Sequence, residues 1–150
     1  MNIPDYTPEQ LQAMHWDRAA SAAHTLVDIC HGAAASSGWW LDNETGEDVR
    51  QWPKKFLQLW IATKLMLTVS EVSESMEGLR KDRMDDKLPH RKMFDVELAD
   101  ALIRICDLAG GLAEVMGVDL PGSVAEKLAF NAIRPDHRME NRQAADGKKF

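Results

Sequence analysis

Apolar residues recur every three or four positions through most of the chain, a spacing that predicts helices. No segment shows the strict alternation of a half-buried strand, so the predicted fold class is all-α. The pattern and its breakers predict four helices, over residues 8–30, 52–80, 92–116 and 121–133. We expect one domain over residues 1–150, with a core in residues 52–134 and a polar, mobile tail over residues 135–150.

The start of the first helix has the side chains of a capping box. Thr7 stands at the expected N-cap, Pro8 at the first helical position and Gln10 at the third. After this helix comes a segment rich in Gly, Ser, Asn and Asp that contains Trp39 and Trp40, which predicts a loop.

The second and third helices each carry an apolar stripe that spans about 100° of the helical wheel. In the second helix the stripe comprises Leu57, Ile61, Leu65, Val72, Met76 and Leu79. In the third helix it comprises Phe94, Leu98, Ala101, Leu102, Ile105 and Leu112. We expect these stripes to form the core, because the apolar face of an amphipathic helix is normally buried.

Two pairs of acids lie beside these stripes. Glu71 and Glu74 are three residues apart in the second helix, as are Glu97 and Asp100 in the third. Each pair falls on the same flank of its stripe, so packing of the two helices would bring the four carboxylates together. Glu77 is turned further round the helix, which predicts a surface acid or at most an outer partner of the site.

Four adjacent carboxylates repel one another unless a cation lies between them. All-oxygen ligation suits Mg²⁺, with Mn²⁺ as a substitute. A helical di-iron site would use Glu-x-x-His pairs, but the residues three after Glu74 and Asp100 are Glu77 and Ile103. The sequence therefore favours a magnesium site, and the alternative is four solvated acids on an acidic surface.

Other candidate residues share the face of the acids. Lys64 lies two turns before Glu71, and Trp60 lies on the same face. Lys64 is placed to neutralise the acids, whereas its alternative role toward phosphate and the role of Trp60 in a nucleotide pocket depend on the family resemblance given below. Arg104 is predicted to touch phosphate or to pair with an acid. Either loop tryptophan could close over a base or pack in a core. The five histidines show no ligand spacing among themselves, and His15, His24 and His31 are expected on helix surfaces.

The composition limits the possible partners. The net charge of -6 argues against nucleic acid, whose phosphates select basic surfaces. No apolar run is long enough to cross a membrane, and the first ten residues do not resemble a signal peptide. Cys30 and Cys106 form no motif and are expected as buried thiols. We therefore expect a cytoplasmic protein, in a cell or in an infected host.

The spacing E-x-x-E, 22 residues, E-x-x-D resembles the all-α nucleoside triphosphate pyrophosphohydrolases of the MazG-like group, whose superfamily includes dimeric dUTPases and dCTP pyrophosphatases. The resemblance extends over residues 54–134, and KLAFNAIRPDHR is similar to the family's downstream segment. It implies that Glu71, Glu74, Glu97 and Asp100 are the metal-binding catalytic residues. It also implies phosphate-facing roles, which would fall on Lys127, Asn131 and Arg134.

The function expected from residues and resemblance together is Mg²⁺-dependent hydrolysis of a (d)NTP, a deoxynucleoside triphosphate by preference, to the monophosphate and pyrophosphate. Alternatives are a hydrolase of the same fold specific for dUTP, a damaged nucleotide or a guanosine alarmone, and a helical assembly module with a structural cation. Apolar residues surround the first half of the second helix, which predicts a homodimer that completes a four-helix core. The resemblance adds a tetramer, a dimer of dimers, as the larger assembly.

Overall fold

A computed structural model of the protein describes Thr7, Gln10 and residues 16–147. The helices are α1 (Trp16–Ser36), a 3₁₀ helix (Val49–Gln51), α2 (Lys54–Lys81), α3 (Met93–Met116), α4 (Leu120–Ile133), a second 3₁₀ helix (Pro135–His137) and α5 (Met139–Gln143). Across the described residues there is no strand beyond two isolated bridges. The all-α prediction is confirmed.

The predicted boundaries hold within two residues for α2, α3 and α4, and differ for α1. The predicted start of α1 at Pro8 lies outside the described residues. Both hydrogen bonds of the capping box are present, since Thr7 N donates to Gln10 Oε1 (2.8 Å) and Gln10 N donates to Thr7 Oγ1 (3.2 Å). The helix continues past Cys30 to Ser36, because an alanine run follows Gly32 and alanine is the strongest helix former.

The chain forms two compact units. One comprises Met1–His24 together with Leu120–Phe150, and the other comprises Thr25–Asp119. In the first unit, the segment predicted as a mobile tail contains the second 3₁₀ helix and α5. The second unit contains all four acids of the predicted metal site.

Within the second unit, α2 and α3 pack as an antiparallel hairpin. Their seam is made of small and polar residues at heptad-like spacing, with Thr68, Glu71, Ser75 and Gly78 buried on α2. Ser75 Oγ donates to the carbonyl oxygen of Phe94 (3.1 Å), and a Cβ on Gly78 would lie 2.9 Å from Met93 Cβ. The helices therefore approach closely at this end.

At the other end of the hairpin lies the hydrophobic core of this unit, formed by Trp40, Val49, Leu57, Leu108 and Leu112. Trp40, one of the two tryptophans predicted in a loop, is only 2% exposed. A Cβ on Gly111 would lie 2.0 Å from the Trp40 ring, so the absence of a side chain at Gly111 lets the indole reach α3.

Most residues of the predicted apolar stripes stay exposed, although Leu57 on α2 and Ala101 and Leu112 on α3 are buried. Leu65, Val72, Met76 and Leu79 on α2 are each more than half exposed, and Leu98, Leu102 and Ile105 on α3 are each more than 40% exposed. Within one chain, the prediction that these stripes form the core therefore holds only for Leu57, Ala101 and Leu112. A two-helix hairpin covers only a narrow seam on each helix, and here that seam is the face carrying the acids.

Cys30 and Cys106 are free and buried, as predicted. Within the described chain, no helix has the length and apolar character needed to cross a membrane.

Candidate metal centre

The α2–α3 seam holds two carboxylates in the interior of the hairpin. Glu71 is 7% exposed and Glu97 is 8% exposed, which is rare for acids and requires compensation by hydrogen bonds or by opposite charge. Both acids occupy seam positions because their helices meet along the heptad-like row that also contains Thr68 and Ser75.

Glu71, Glu97 and Asp100 form a compact set whose carboxylate oxygens lie within 4.8 Å of one another. Such a set can hold a metal ion. Glu74 is exposed and lies outside this set, but it lines the same cleft. The structure thus brings three of the four predicted ligands together and leaves the fourth at their edge.

The Glu97 carboxyl is affected both by its burial and by its acidic neighbours. Burial raises the pKa of Glu97 to about 7, helped by a hydrogen bond with Glu71 and by the negative charges of Glu74, Glu71 and Asp100. A carboxyl that holds a proton close to neutral pH marks a cluster short of positive charge. A divalent cation is the group that such a cluster would accept most readily in place of the proton.

Arg104 supplies the nearest permanent positive charge. Its Nη2 atom lies 2.6 Å from Glu71 Oε1, whereas its buried Nε has no hydrogen-bond partner among the described residues. Of the two predicted roles for Arg104, pairing with an acid is confirmed. The unpartnered Nε leaves one donor of the guanidinium unused.

The acidic cluster opens into a cleft of about 810 Å³. Part of its wall comes from the α2–α3 loop, which contributes the cations of Arg83 and Lys87. Asp85 fixes this loop, because its Oδ1 accepts from the backbone N–H groups of Lys87 (3.0 Å) and Leu88 (2.5 Å). The cleft therefore combines a candidate cation site with separate positive side chains.

Sequence reasoning missed Arg83 and Lys87, because they lie in a polar segment with no helical period. The sequence nevertheless contained one signal, which is the short loop that joins the two acid-bearing helices. Such a loop must lie near one edge of the surface along which the two helices pack. Glu77 follows its prediction as a surface acid: Arg80 and Lys81 pair with it and lower its pKa to about 2.

Lys64 lines a pocket next to the cleft of the acids, and Trp60 contacts Lys64. Lys64 lines a smaller pocket of about 240 Å³, which shares Asp100 and Arg104 with the larger cleft. The Lys64 ammonium lies 4.7 Å from the Trp60 ring centroid and 5.5 Å from that of Trp39. Trp60 also packs on Trp40, with ring centroids 4.7 Å apart, so this predicted pocket residue contacts the core.

One wall of the smaller pocket is formed by Asp107, whose contacts the sequence did not reveal. Asp107 Oδ1 accepts from Trp40 Nε1 (2.8 Å) and lies 3.1 Å from His31 Nδ1. The His31 side chain is only 20% exposed, so its predicted place on a helix surface was wrong. Because His31 and Asp107 are 76 positions apart, no local pattern could link them.

The predicted phosphate-facing residues belong to the other compact unit. Lys127 and Arg134 lie over the Phe130 ring, at 4.9 and 5.6 Å from its centroid. Arg134 also pairs with Asp136 at 2.5 Å, and Asn131 Oδ1 is buried with no partner among the described residues. Their roles toward a phosphate stay predictions.

No family model matches the sequence, and no curated protein or solved structure is significantly similar to it. The resemblance to the MazG-like group therefore rests on motif spacing alone. What the geometry adds is independent of that resemblance: a three-carboxylate set, a cleft beside it and cations among the residues that line this cleft.

Proposed function

We propose that the protein is a Mg²⁺-dependent nucleotide pyrophosphohydrolase that converts a (d)NTP and water to the monophosphate and pyrophosphate. The observation that carries this proposal is the pairing of buried Glu71 and Glu97 with Asp100 at the edge of a cleft of about 810 Å³. A cation with a purely structural role would require only these carboxylate ligands and no adjoining cleft. An adjoining cleft with its own cations suits a polyanionic substrate.

The donor set fits the proposed ion. Glu71, Glu97 and Asp100 would hold Mg²⁺ through carboxylate oxygens, which are the ligands that this hard cation prefers. Mn²⁺ would be a substitute, and Glu74 would stay at the rim of the cleft without binding the ion. When bound, the ion neutralises phosphate charge and lowers the pKa of a coordinated water.

The side chains of the chain supply the remaining steps. Water attacks the α-phosphorus, the bond from that phosphorus to the α,β-bridging oxygen breaks, and pyrophosphate leaves. Glu74 is exposed and outside the compact set, so its carboxylate is free to take the proton of the attacking water. Arg83 and Lys87 on the loop stabilise the negative charge on the departing pyrophosphate.

Substrate specificity within this class is proposed for deoxynucleoside triphosphates, as the sequence resemblance implies. The first test is pyrophosphate release from the common dNTPs and NTPs, with Mg²⁺ and with chelator. We expect release that requires the metal. Glu97→Gln should abolish it, whereas Glu77→Gln, an acid on the same hairpin paired with Arg80, should not.

A folded Glu97→Gln protein with full activity would contradict the proposed site. A chain that binds Mg²⁺ but hydrolyses no nucleotide would point instead to the helical assembly module with a structural cation.

We also propose that a second copy of the chain covers the exposed stripes of α2 and α3. These stripes form a large apolar surface, which single soluble domains rarely leave uncovered. Two hairpins facing one another through these stripes would complete a four-helix core, and two such dimers could form a tetramer.

A further inference from the structure

The smaller pocket, of about 240 Å³, has walls suited to a flat polar ring. It adjoins the acidic cluster, and its lining residues include Trp39, Lys64, Asp100, Ile103, Arg104 and Asp107. Its volume is below the roughly 300–1,000 Å³ typical of sites that enclose a whole drug-sized ligand. The pocket therefore fits one ring system whose remainder continues into the larger cleft.

Asp107 brings an acceptor to this pocket. Trp40 and His31 both contact its Oδ1 atom, which fixes the carboxylate, and among the described residues none forms a hydrogen bond with its Oδ2. The side chain is 15% exposed. A carboxylate that is mostly buried, fixed through one oxygen and not hydrogen-bonded at the other is a strong acceptor for an N–H group of a ligand.

Trp39 and Lys64 supply a stacking surface and a donor. Trp39 is 65% exposed, although the Lys64 ammonium lies 5.5 Å from its ring centroid. Burial lowers the pKa of Lys64 against the attraction of the Asp107 carboxylate, and among the described residues Lys64 forms no ion pair. Its ammonium is thus available to a carbonyl or ring nitrogen.

We propose that this pocket binds the base of the nucleotide and that Asp107 selects bases bearing an amino group, namely cytosine, adenine or guanine, over uracil and thymine. The inference rests on the proposed function, because only a nucleotide would join a flat base to phosphates at the adjoining acidic cluster. Asp100 and Arg104 line both the smaller pocket and the larger cleft. The sugar and the α-phosphate would therefore lie beside these two residues.

The selectivity follows from donor and acceptor chemistry. An exocyclic amino group donates to Asp107 Oδ2, whereas the 4-oxo group of uracil or thymine would present lone pairs to a negative oxygen. A site that hydrogen-bonds one partner rejects the analogue that lacks the donor far more strongly than an apolar pocket does. Trp39 contributes affinity for any base, since every base offers a face for stacking.

The test uses dCMP and dUMP as probes of the wild-type chain, by calorimetry in the presence of chelator. These ligands differ at the edge that Asp107 would read, and neither requires turnover. We expect dCMP to bind about tenfold or more tightly than dUMP, the range for a charge-assisted hydrogen bond. Equal affinity for the two would overturn the proposal.

Asp107→Asn is the informative variant. Its Oδ1 still accepts from Trp40 and His31, while its amide nitrogen places a donor where the pocket had an acceptor. We expect dCMP to lose at least tenfold in affinity and dUMP to gain, so that the preference is reversed. Glu114→Gln removes the same charge from an exposed position of α3 and should leave the ratio unchanged. An unchanged preference in a folded Asp107→Asn protein would overturn the proposal.

Trp39→Ala provides a second arm should Asp107→Asn fold poorly, because the exposed indole supports little of the core. It should weaken both probes by about tenfold, with Trp39→Phe retaining most of the binding. Unaltered binding in Trp39→Ala would contradict the proposal that this pocket binds the base.

Two further outcomes separate this proposal from the proposed function. Hydrolysis of dCTP and dUTP at equal rates would contradict base selection by Asp107 but not the hydrolase activity. Selective binding of dCMP without pyrophosphate release from any triphosphate would contradict the proposed hydrolase activity but not the base selection.

Discussion

Arg104 Nη2 lies 2.6 Å from Glu71 Oε1, so a candidate metal ligand already has a permanent positive partner. The same side chain lines both the cleft and the smaller pocket, and its buried Nε is unpartnered among the described residues. The guanidinium therefore stabilises Glu71, and the function we propose would place it against a phosphate once the cation is bound. Its charge opposes the binding of a cation by Glu71 but attracts an anionic substrate.

Replacement of Arg104 should separate these two effects. In Arg104→Gln we expect Mg²⁺ to bind more tightly, because a competing charge beside Glu71 is gone. Pyrophosphate release at saturating Mg²⁺ should fall by about 100-fold, the usual effect of removing one donor that stabilises developing charge. Calorimetric titration of Mg²⁺ and a release assay measure the two quantities on one preparation.

Arg80→Gln is the matched control, since Arg80 pairs with Glu77, outside the acidic cluster, and should affect neither quantity. A simultaneous loss of metal affinity and activity in Arg104→Gln would show that Arg104 supports the fold of the site and does not contact the substrate.

The raised pKa of Glu97 predicts a pH-dependent stability for the metal-free protein. Between pH 4.5 and about 7 the unfolded chain has released the Glu97 proton and the folded chain retains it, so stability falls as pH rises through this window. We expect the Tm in chelator to fall by roughly 5 °C or more from this group. Saturating Mg²⁺ should remove most of the fall.

Glu97→Gln should flatten the same profile, because it removes the titrating group. Glu77→Gln should not, since the pKa of Glu77 is lowered to about 2 and its contribution changes only as the pH falls below 4.5. A metal-free Tm that rises between pH 5 and 7 would contradict the assignment of the raised pKa to this cluster.

The sequence predicted the hairpin well because its signals are local. Pro53, Pro89 and Gly117 mark the ends of α2 and α3, and the i, i+3 spacing predicted which acids would share a flank. The seam itself was predicted wrongly. An apolar stripe indicates that a helix face becomes buried somewhere, but it does not say whether its partner belongs to the same chain.

The parts of the site that escaped prediction depend on contacts distant in sequence or on loops. His31 and Asp107 meet across 76 positions, and only the fold brings the Trp40 indole to the same carboxylate. Arg83 and Lys87 have no period to mark them, since a loop conformation is fixed by turns such as the one capped by Asp85.

Two glycines of the same unit should respond to alanine in opposite directions. At Gly111 a Cβ would lie 2.0 Å from the rigid Trp40 ring, so Gly111→Ala should lower the free energy of unfolding by about 1–3 kcal/mol. At Gly32, inside α1, a Cβ would meet nothing within 4 Å, so Gly32→Ala should raise stability by about 0.5–1 kcal/mol. Urea unfolding measures both, and an unaffected Gly111→Ala would contradict the packing of Trp40 on α3.

Self-association is tested at the exposed stripe. Val72 and Met76 on α2 are 51% and 64% exposed, and a lysine at either position would place a charge in the interface proposed between two copies. We expect Met76→Lys to shift the wild-type dimer to monomer in sedimentation equilibrium. Ile29→Lys, at an equally exposed apolar residue of α1, should leave the dimer intact. A monomeric wild-type chain at micromolar concentration, or a dimer insensitive to Met76→Lys, would show that the α2 and α3 stripes are covered by something other than a second copy.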